Sequence, residues 1–515
     1  MIIIYHDHRK ATSVYDQDLM MEIDLHARSL SALLFELAAR YNGRLLVWCS
    51  EAYRNQLNIN LIPQIFNHKR LLISYCPGGA DYLPEAIGYV EDSSFIKICK
   101  EVTYPTWRMS SVVGGIYSDT LLVTKDVVTQ DEDFDYFLSS LSRSVIAVGM
   151  FCYSEPQLLT ESFVAAYIPK ASNWDLFRFV GQHFKKQWVL MLFANMLINE
   201  RKFPLAAAIC SLFTKRRQLK SKIFEEISIE SSKDLQFEKT IDVVIPTLGR
   251  KKYLHDVLLD IAQQSVLPRN VIIIEQNPDP ESTTELDYLN HEWPFSITHR
   301  LIHQTGACNA RNVALKEVKS DWVFLADDDI RLTPTFIEEV FQQIYQTRHE
   351  VFSICCILPG QKPLFDHVHQ TPTFSAGSSV ISRASLGDSA FGMAYEFGYG
   401  EDSDFGMQLT NKGYDTYHLP YPQILHLKAP SGGFRSKVTQ EWDNEVPQPK
   451  PSPTVLLYRI LHHSKQQLLG YRTILFLKFY KQQQIKNPFA YLKAFRIQWK
   501  KSVYWAQKLK TDHNL

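Results

Sequence analysis

Phe324-Leu325-Ala326-Asp327-Asp328-Asp329-Ile330 is the stretch on which the reading of this chain turns. The apolar run from Trp322 has the pattern of a buried strand, and it delivers three consecutive carboxylates before the chain turns apolar again. Like charges at contact distance repel, so such a cluster at a strand end calls for a cation. Ligand sets of hard oxygens suit Mg²⁺ or Mn²⁺, and these ions suit a diphosphate. Taken alone, three aspartates describe a solvated acidic turn equally well. The flanking sequence has to decide.

Upstream, Ile241-Asp242-Val243-Val244-Ile245-Pro246 reads as a buried strand ending in Thr247-Leu248-Gly249-Arg250. Leu254, Val257, Leu258 and Ile261 then have helical spacing. A second strand, Val271 to Ile274, ends in Glu275 and the turn-rich Asn277-Pro278-Asp279-Pro280. Gly306 precedes a helix beginning near Asn309, with Arg311 and Asn312 in its first turn. Alternating strands and helices at these distances predict a parallel α/β sheet, in which ligands bind at the carboxyl ends of the strands. Each of these strands ends in polar residues, so one edge collects them. Downstream, Thr333-Pro334 reads as an N-cap and first helical position, and Phe374 to Ile381 as a small-residue strand. The run Tyr395-Glu396-Phe397-Gly398-Tyr399-Gly400-Glu401-Asp402-Ser403-Asp404-Phe405 leads into a helix from near Asp402 to a C-cap at Gly413. A strand Gln423 to His426 precedes Ser431-Gly432-Gly433-Phe434, which has flexible-loop composition.

Five of these motifs, in order, resemble the family 2 glycosyltransferases of GT-A fold over residues 241 to about 430. Val244 to Arg250 looks like the family's first strand and turn, and Gly306 with Ala310-Arg311-Asn312 like its G-x-x-x-A-R-N helix start. Asp327-Asp328-Asp329 is similar to the D-x-D motif and Gly400 to Phe405 to the E-D motif, with the aromatic-glycine flavour of galactosyl- and N-acetylgalactosaminyl-transferring relatives. Glu275 stands where the family usually has Asp, one methylene shorter. The resemblance implies a Rossmann-like mixed sheet flanked by helices and Mn²⁺ or Mg²⁺ as cofactor. It implies Asp329 and His426 as metal ligands, with His418 as the alternative histidine, and Asp402 as the catalytic base. Pro246, Thr247, Arg250, Glu275, Arg311, Asp327, Asp328 and Glu401 would bind the nucleotide sugar, with Asp327 and Asp328 interchangeable in role.

At 515 residues the chain needs more than one core. Residues 1–170 read as a second α/β domain, more faintly GT-A-like but degenerate, with neither D-x-D nor E-D motif. Within it Val145 to Phe151 looks like a strand, and Asp131-Glu132-Asp133 like the N-terminal turn of a helix. A helical connector is expected over 171–227, a linker over 228–240, the catalytic domain over 241–450 and a basic amphipathic helical tail over 451–515. The net charge of zero argues against a strongly basic nucleic-acid binder. Charge is nevertheless uneven: twelve Lys and Arg follow Pro451 against Asp512 alone. Eight scattered cysteines without CxxC spacing point to a reducing compartment, and neither a signal peptide nor a membrane span is expected. The tail could lie on an anionic membrane through residues 453–510, or pack on the protein with a solvated basic face.

The expected function is that of an inverting, metal-dependent glycosyltransferase, moving a hexose from a UDP-sugar to a glycan or lipid-linked glycan acceptor in bacterial surface polysaccharide biosynthesis. Its expected place is cytoplasmic, peripheral on the inner face of the plasma membrane. The alternatives are a noncatalytic glycan- or nucleotide-binding scaffold and a nucleotidyltransferase. The last should carry a glycine-rich phosphate loop, for which Thr247 to Arg250 is too short.

Overall fold

The computed structural model describes residues 1–24, 29–126, 128, 133–161, 169–219, 222–430 and 438–515. The chain forms two compact units, one of residues 1–233 with 464–473 and one of residues 234–463 with 474–515. The boundary at Lys233 falls within the expected linker, whereas the segment 171–227 is part of the first unit and most of 451–515 is part of the second. The Ser431 to Phe434 loop lies outside the described residues.

In the first unit β1 (Ile2–His6), β2 (Ala11–Asp16), β3 (Met21–Glu22), β4 (Leu45–Ser50), β5 (Leu71–Tyr75), β6 (Tyr104–Pro105), β7 (Val113–Tyr117) and β8 (Phe151–Ser154) make one sheet. Its order is β3-β2-β1-β4-β7-β5-β8-β6. β1, β4, β5 and β8 are buried along their whole length. Covered on both faces, they read as unbroken apolar runs instead of alternating ones. The expected strand Val145 to Phe151 is not one. The helix Phe134–Val145 continues into a 3₁₀ turn, and Gly149 at φ 96° reverses the chain before β8. Asp133 caps that helix by accepting from the Tyr136 amide at 2.9 Å.

Beneath β1 lies a buried polar chain. His6 Nε2 meets the Ser111 carbonyl at 2.9 Å, and Asp135 accepts from the Ser111 amide at 2.8 Å and its hydroxyl at 2.7 Å. Burial lowers His6 to about 4 and raises Asp135 to about 7, so both are neutral between those values. The raised Asp135 withdraws stability as pH climbs from about 4 through 7, up to about 4 kcal/mol in all. The lowered His6 adds stability as pH climbs from about 4 to 6.5, which offsets that loss over the same interval. Asp135→Asn removes only the first effect. Thermal unfolding of the variant should therefore show a Tm above that of the parent at pH 8 and close to it near pH 4.

The second unit holds β9 (Ile241–Leu248), β10 (Asn270–Gln276), β11 (Ser296–Ile302), β12 (Trp322–Ala326), β13 (Ile330–Arg331), β14 (Val351–Ile357), β15 (His369–Thr371), β16 (Ser378–Ser382) and β17 (Thr416–His426). The order is β11-β10-β9-β12-β16-β14-β17-β13, with β15 on β17. β11, β10, β9 and β12 are parallel, and β16 joins β12 antiparallel. This is the mixed, helix-flanked sheet of the GT-A arrangement. The chain leaves β9 to one side for β10 and returns to its other side for β12, so a crevice opens between β9 and β12 at their carboxyl ends. Buried Asp242 at the start of β9 fixes the return. It accepts from the amides of Lys319 and Ser320 at 2.7 and 2.9 Å and from the Ser320 hydroxyl at 2.6 Å, just before β12. The helix expected at Thr333-Pro334 starts instead at Phe336, behind Thr335, with Gln264 Oε1 accepting from the Ile337 amide at 3.0 Å.

The strands β1, β4, β7, β5 and β8 repeat the neighbour order and the directions of β9, β12, β16, β14 and β17. The ends differ chemically. Where β12 runs into three aspartates, β4 runs into Glu51-Ala52-Tyr53.

The tail does not stand apart. The helix Pro488–Asp512 buries Tyr491, Phe495, Ser502 and Ala506 within the second unit, and Ser502 donates to the Pro451 carbonyl at 2.8 Å. Its other face is exposed and carries Phe489 and Tyr504 among Lys493, Arg496 and Lys500.

Candidate active site

The crevice at the β9–β12 edge is a cavity of about 300 Å³. Pro246 and Arg250 come from the end of β9, Arg311 from the helix Ala307–Leu315, the three aspartates from the turn after β12, Glu401 and Asp402 from the first turn of the helix Glu401–Asn411, and His426 from the end of β17. All of them line the cavity. Thr247 lies behind it, donating to Asp328 Oδ2 at 2.8 Å.

Glu275 is displaced from its expected place. Its carboxylate accepts from the Thr284 hydroxyl at 2.6 Å and the Glu285 amide at 3.1 Å, and meets His299 at 2.8 Å, while the next residue, Gln276, lines the cavity. Successive side chains of a strand point to opposite faces, so a shift of one position exchanges them. His418 is also elsewhere on β17, packed against His369 with ring centroids 4.9 Å apart.

The three aspartates separate in role. Asp328 turns towards Arg250, which donates to it at 2.6 Å; burial pushes its pKa up to about 6, and the Arg250 and Thr247 contacts hold it ionised at neutral pH. Asp327 and Asp329 converge with His426, with one ligand atom of each within 4.8 Å of the others, and Asp329 also lies 3.4 Å from Arg250. Burial acts to raise Asp329, but the His426 contact at 3.2 Å, the Ala429 amide at 2.8 Å and Arg250 outweigh it and keep the carboxyl below its ordinary range. The same contact with Asp329 raises His426 against its burial. Two carboxylates and an imidazole in this arrangement could each offer one ligand atom to a divalent cation, Asp327 standing beside the two residues expected.

Arg311 is buried and reaches Asp327 at 3.2 Å. Asp402 Oδ1 is a buried carboxylate oxygen without a hydrogen-bond partner. Burial raises Asp402, with Asp327 adding to the effect and Arg311 and the Ala376 amide opposing it. Glu401 beside it is pushed up to about 7, first by burial and then by Asp402. Asp404 is not part of the cavity lining. It takes hydrogen bonds from Tyr395, Gln408 and His462, which anchor the helix that carries Asp402.

Sequence reasoning missed Gln276, Glu396, Phe397, Ser375 and Gly377. Glu396 accepts from the amides of Cys308 and Asn309 at 3.2 and 2.8 Å, capping the helix that carries Arg311 across 88 residues of sequence. Gly377 was visible only as part of a small-residue run. A Cβ there would stand 2.2 Å from Asp327 Oδ2, so glycine is what allows that carboxylate its position. Gly306 is constrained in the same way, at φ 135° and with its Cβ position 2.2 Å from the Glu396 carboxylate. Gly306→Ala should cost about 1–3 kcal/mol through strain and loss of the Glu396 cap. Differential scanning calorimetry would show this as a lowered transition.

Residues 242–402 match the family model described as Glycosyl transferase family 2. This segment belongs to glycosyl transferase family 2. Among curated proteins it is similar to the uncharacterized glycosyltransferase YwdF of Bacillus subtilis (strain 168), 34% identical over 104 residues, covering 20% of this chain and 38% of that protein. It is similar also to an uncharacterized glycosyltransferase of Haemophilus influenzae, 28% identical over 106 residues, covering 21% of this chain and 35% of that protein. The chain thus spans little more than a third of these relatives' length. Among solved structures, S. aureus TarS 1–349 in complex with UDP-GlcNAc is 18% identical, with a TM-score of 0.36 over 51% of this chain and 79% of that one.

Proposed function

We propose that the second unit is an inverting, metal-dependent glycosyltransferase that moves a hexose from a UDP-sugar to a glycan hydroxyl. The observation that carries the reading is the convergence of Asp327 and Asp329 with His426 beside Asp402 in one cavity, lined mostly by the family 2 segment 242–402. Those three residues would hold a divalent cation, which would supply the positive charge that a departing nucleoside diphosphate needs. Arg250, tied to Asp328 and 3.4 Å from Asp329, places a second fixed positive charge at the same edge. Asp402 takes the proton of the acceptor hydroxyl as its oxygen attacks the anomeric carbon from the face opposite the diphosphate, which inverts that centre. Pro246, Thr247, Glu401 and Gln276 shape and support the nucleotide-sugar pocket, and Glu275 acts from behind it through the β10 end.

The first unit we read as a noncatalytic relative of the second. Its matching strand order supports this, as does Glu51-Ala52-Tyr53 at the position of the three aspartates. The setting we propose is the assembly of a bacterial surface polysaccharide, with a glycan or lipid-linked glycan as acceptor. Nucleotide sugars are made in the cytoplasm, so we place the enzyme there, on the inner face of the plasma membrane. The basic, aromatic outer face of the tail within 453–510 supports that attachment.

Turnover of a panel of sugar nucleotides by the full chain tests the reading. Release of UDP from one or more UDP-sugars with Mn²⁺ or Mg²⁺, abolished by EDTA and restored by the metal, is the expected result. Equal release in EDTA contradicts the metal dependence, and no release from any donor, with or without acceptor glycans, contradicts the enzyme.

A further inference from the structure

In the first unit the helices Lys186–Asn195 and Leu205–Leu212 pack together as a hairpin; the first buries Val189 and Leu192, and the second has an arrangement unusual for a surface in water. The second helix buries its small side chains Ala207, Ala208 and Ser211. It packs so closely on the helix Asn173–His183 that a Cβ on Gly181 would lie 2.4 Å from the Ser211 carbonyl oxygen. Of its large side chains Leu212 is half-buried, whereas Leu205 and Ile209 are 42 and 48% exposed, and Phe213 just past its end is 85% exposed. Leu190, Ile198 and Phe203, from the first helix and the connection, are exposed by 58, 66 and 64%. Seven exposed large apolar side chains fall between Leu190 and Phe213. A helix facing water shows the opposite arrangement, and a bare patch of this kind marks an interaction surface.

The charges around the patch identify what it meets. Between Lys185 and Arg217 the chain carries seven Lys and Arg and one acidic residue, Glu200. Lys185, Arg201, Lys202, Lys215 and Arg216 are exposed, and they stand at the ends of the apolar elements. Lys186 is used differently. Its ammonium is held by the carbonyls of Gly181, Ser211 and Thr214 at 3.1, 3.0 and 2.5 Å, which fixes the hairpin to the helix Asn173–His183. Exposed apolar side chains flanked in sequence by exposed basic ones are complementary to acyl chains beneath anionic headgroups. A second copy of the chain would bring the same positive rims together, which disfavours self-pairing. No helix among the described residues is long and apolar enough to cross a membrane, so the contact would be one-sided.

We propose that this hairpin is a bilayer-docking element that inserts Ile198, Phe203, Ile209 and Phe213 into the interface of an anionic membrane. It is separate from the tail and independent of the transferase reading. Cosedimentation of the full chain with phosphatidylcholine vesicles, with and without phosphatidylglycerol, tests it. Ile209→Glu with Phe213→Glu, and separately Phe213→Ser, alter exposed positions only, and their unfolding curves should match the parent. A tail variant, Lys493→Glu with Arg496→Glu and Lys500→Glu, runs alongside. The parent should bind the anionic vesicles, and each hairpin variant should bind at least about tenfold more weakly. The proposal is overturned if the parent binds neither vesicle, or if the hairpin variants bind as the parent does, whether or not the tail variant has lost binding. It is equally overturned if size-exclusion chromatography shows a parent dimer that Phe213→Glu dissociates while vesicle binding is unchanged.

Discussion

Asp402→Asn should slow sugar transfer by about a thousandfold while leaving the affinity for the UDP-sugar within about threefold of the parent, since a general base contributes roughly 10²–10⁴. Asparagine keeps the shape of the side chain and removes its ability to take a proton. Asp402 lies in the first turn of its helix, so a purely structural carboxylate would complement the helix dipole there, and its loss would lower Tm by a few degrees with little change in rate. Steady-state kinetics and a thermal melt of the same preparation separate the two roles. The pH profile adds a sign. The ionised carboxylate is the active form and its pKa is raised, so kcat/KM of the parent should fall as pH drops through that value. Glu401 titrates nearby, at about 7, so the assignment requires the acid limb to vanish in Asp402→Asn and persist in Glu401→Gln.

Asp329→Ala should lower kcat/KM by at least about a hundredfold, the equivalent of roughly 3 kcal/mol of lost charge stabilisation. It should also abolish the rise in Tm that Mn²⁺ gives the parent, because a ligand that binds only the folded state stabilises it by mass action. Without metal the variant should melt close to the parent. It loses the Ala429 amide and His426 contacts, but it also relieves the repulsion among three adjacent carboxylates. Asp328→Asn should behave differently. Removing the shorter of its two aspartate ion pairs should disturb the Arg250 guanidinium while leaving the metal-dependent Tm shift in place.

The parts of this site that could be read from sequence were those in which one short segment holds both the strand and its chemistry. Trp322 to Asp329 is such a segment, as are Ile241 to Arg250 and Gly400 to Phe405. Contacts made across long separations could not be read. Asp327 and Asp328 looked interchangeable because their difference depends on Arg250 and Thr247 of β9 on one side and His426 of β17 on the other. Glu275 and Gln276 differ only in strand phase, and periodicity in a fully buried strand carries no phase. The Val145 to Phe151 misreading has the same origin, since a short apolar run serves a buried helix end as well as a strand. The tail posed a choice between packing and exposure, and the helix Pro488–Asp512 has one face in each environment. The segment 171–227 read in sequence as a helical connector, and only the packing shows that its helix Leu205–Leu212 has Ala207, Ala208 and Ser211 inside while Leu205 and Ile209 are exposed.

The central claim is that Asp327, Asp329 and His426 form a metal-dependent site for a nucleoside diphosphate sugar. Titration calorimetry of UDP-sugars into the full chain tests it most directly, with Mn²⁺ and again after chelation. Saturable binding of at least one UDP-sugar that requires the metal, and that Asp329→Ala abolishes, is the predicted result. Binding that is unchanged by chelation, or no binding of any UDP-sugar in the presence of Mn²⁺, would contradict it.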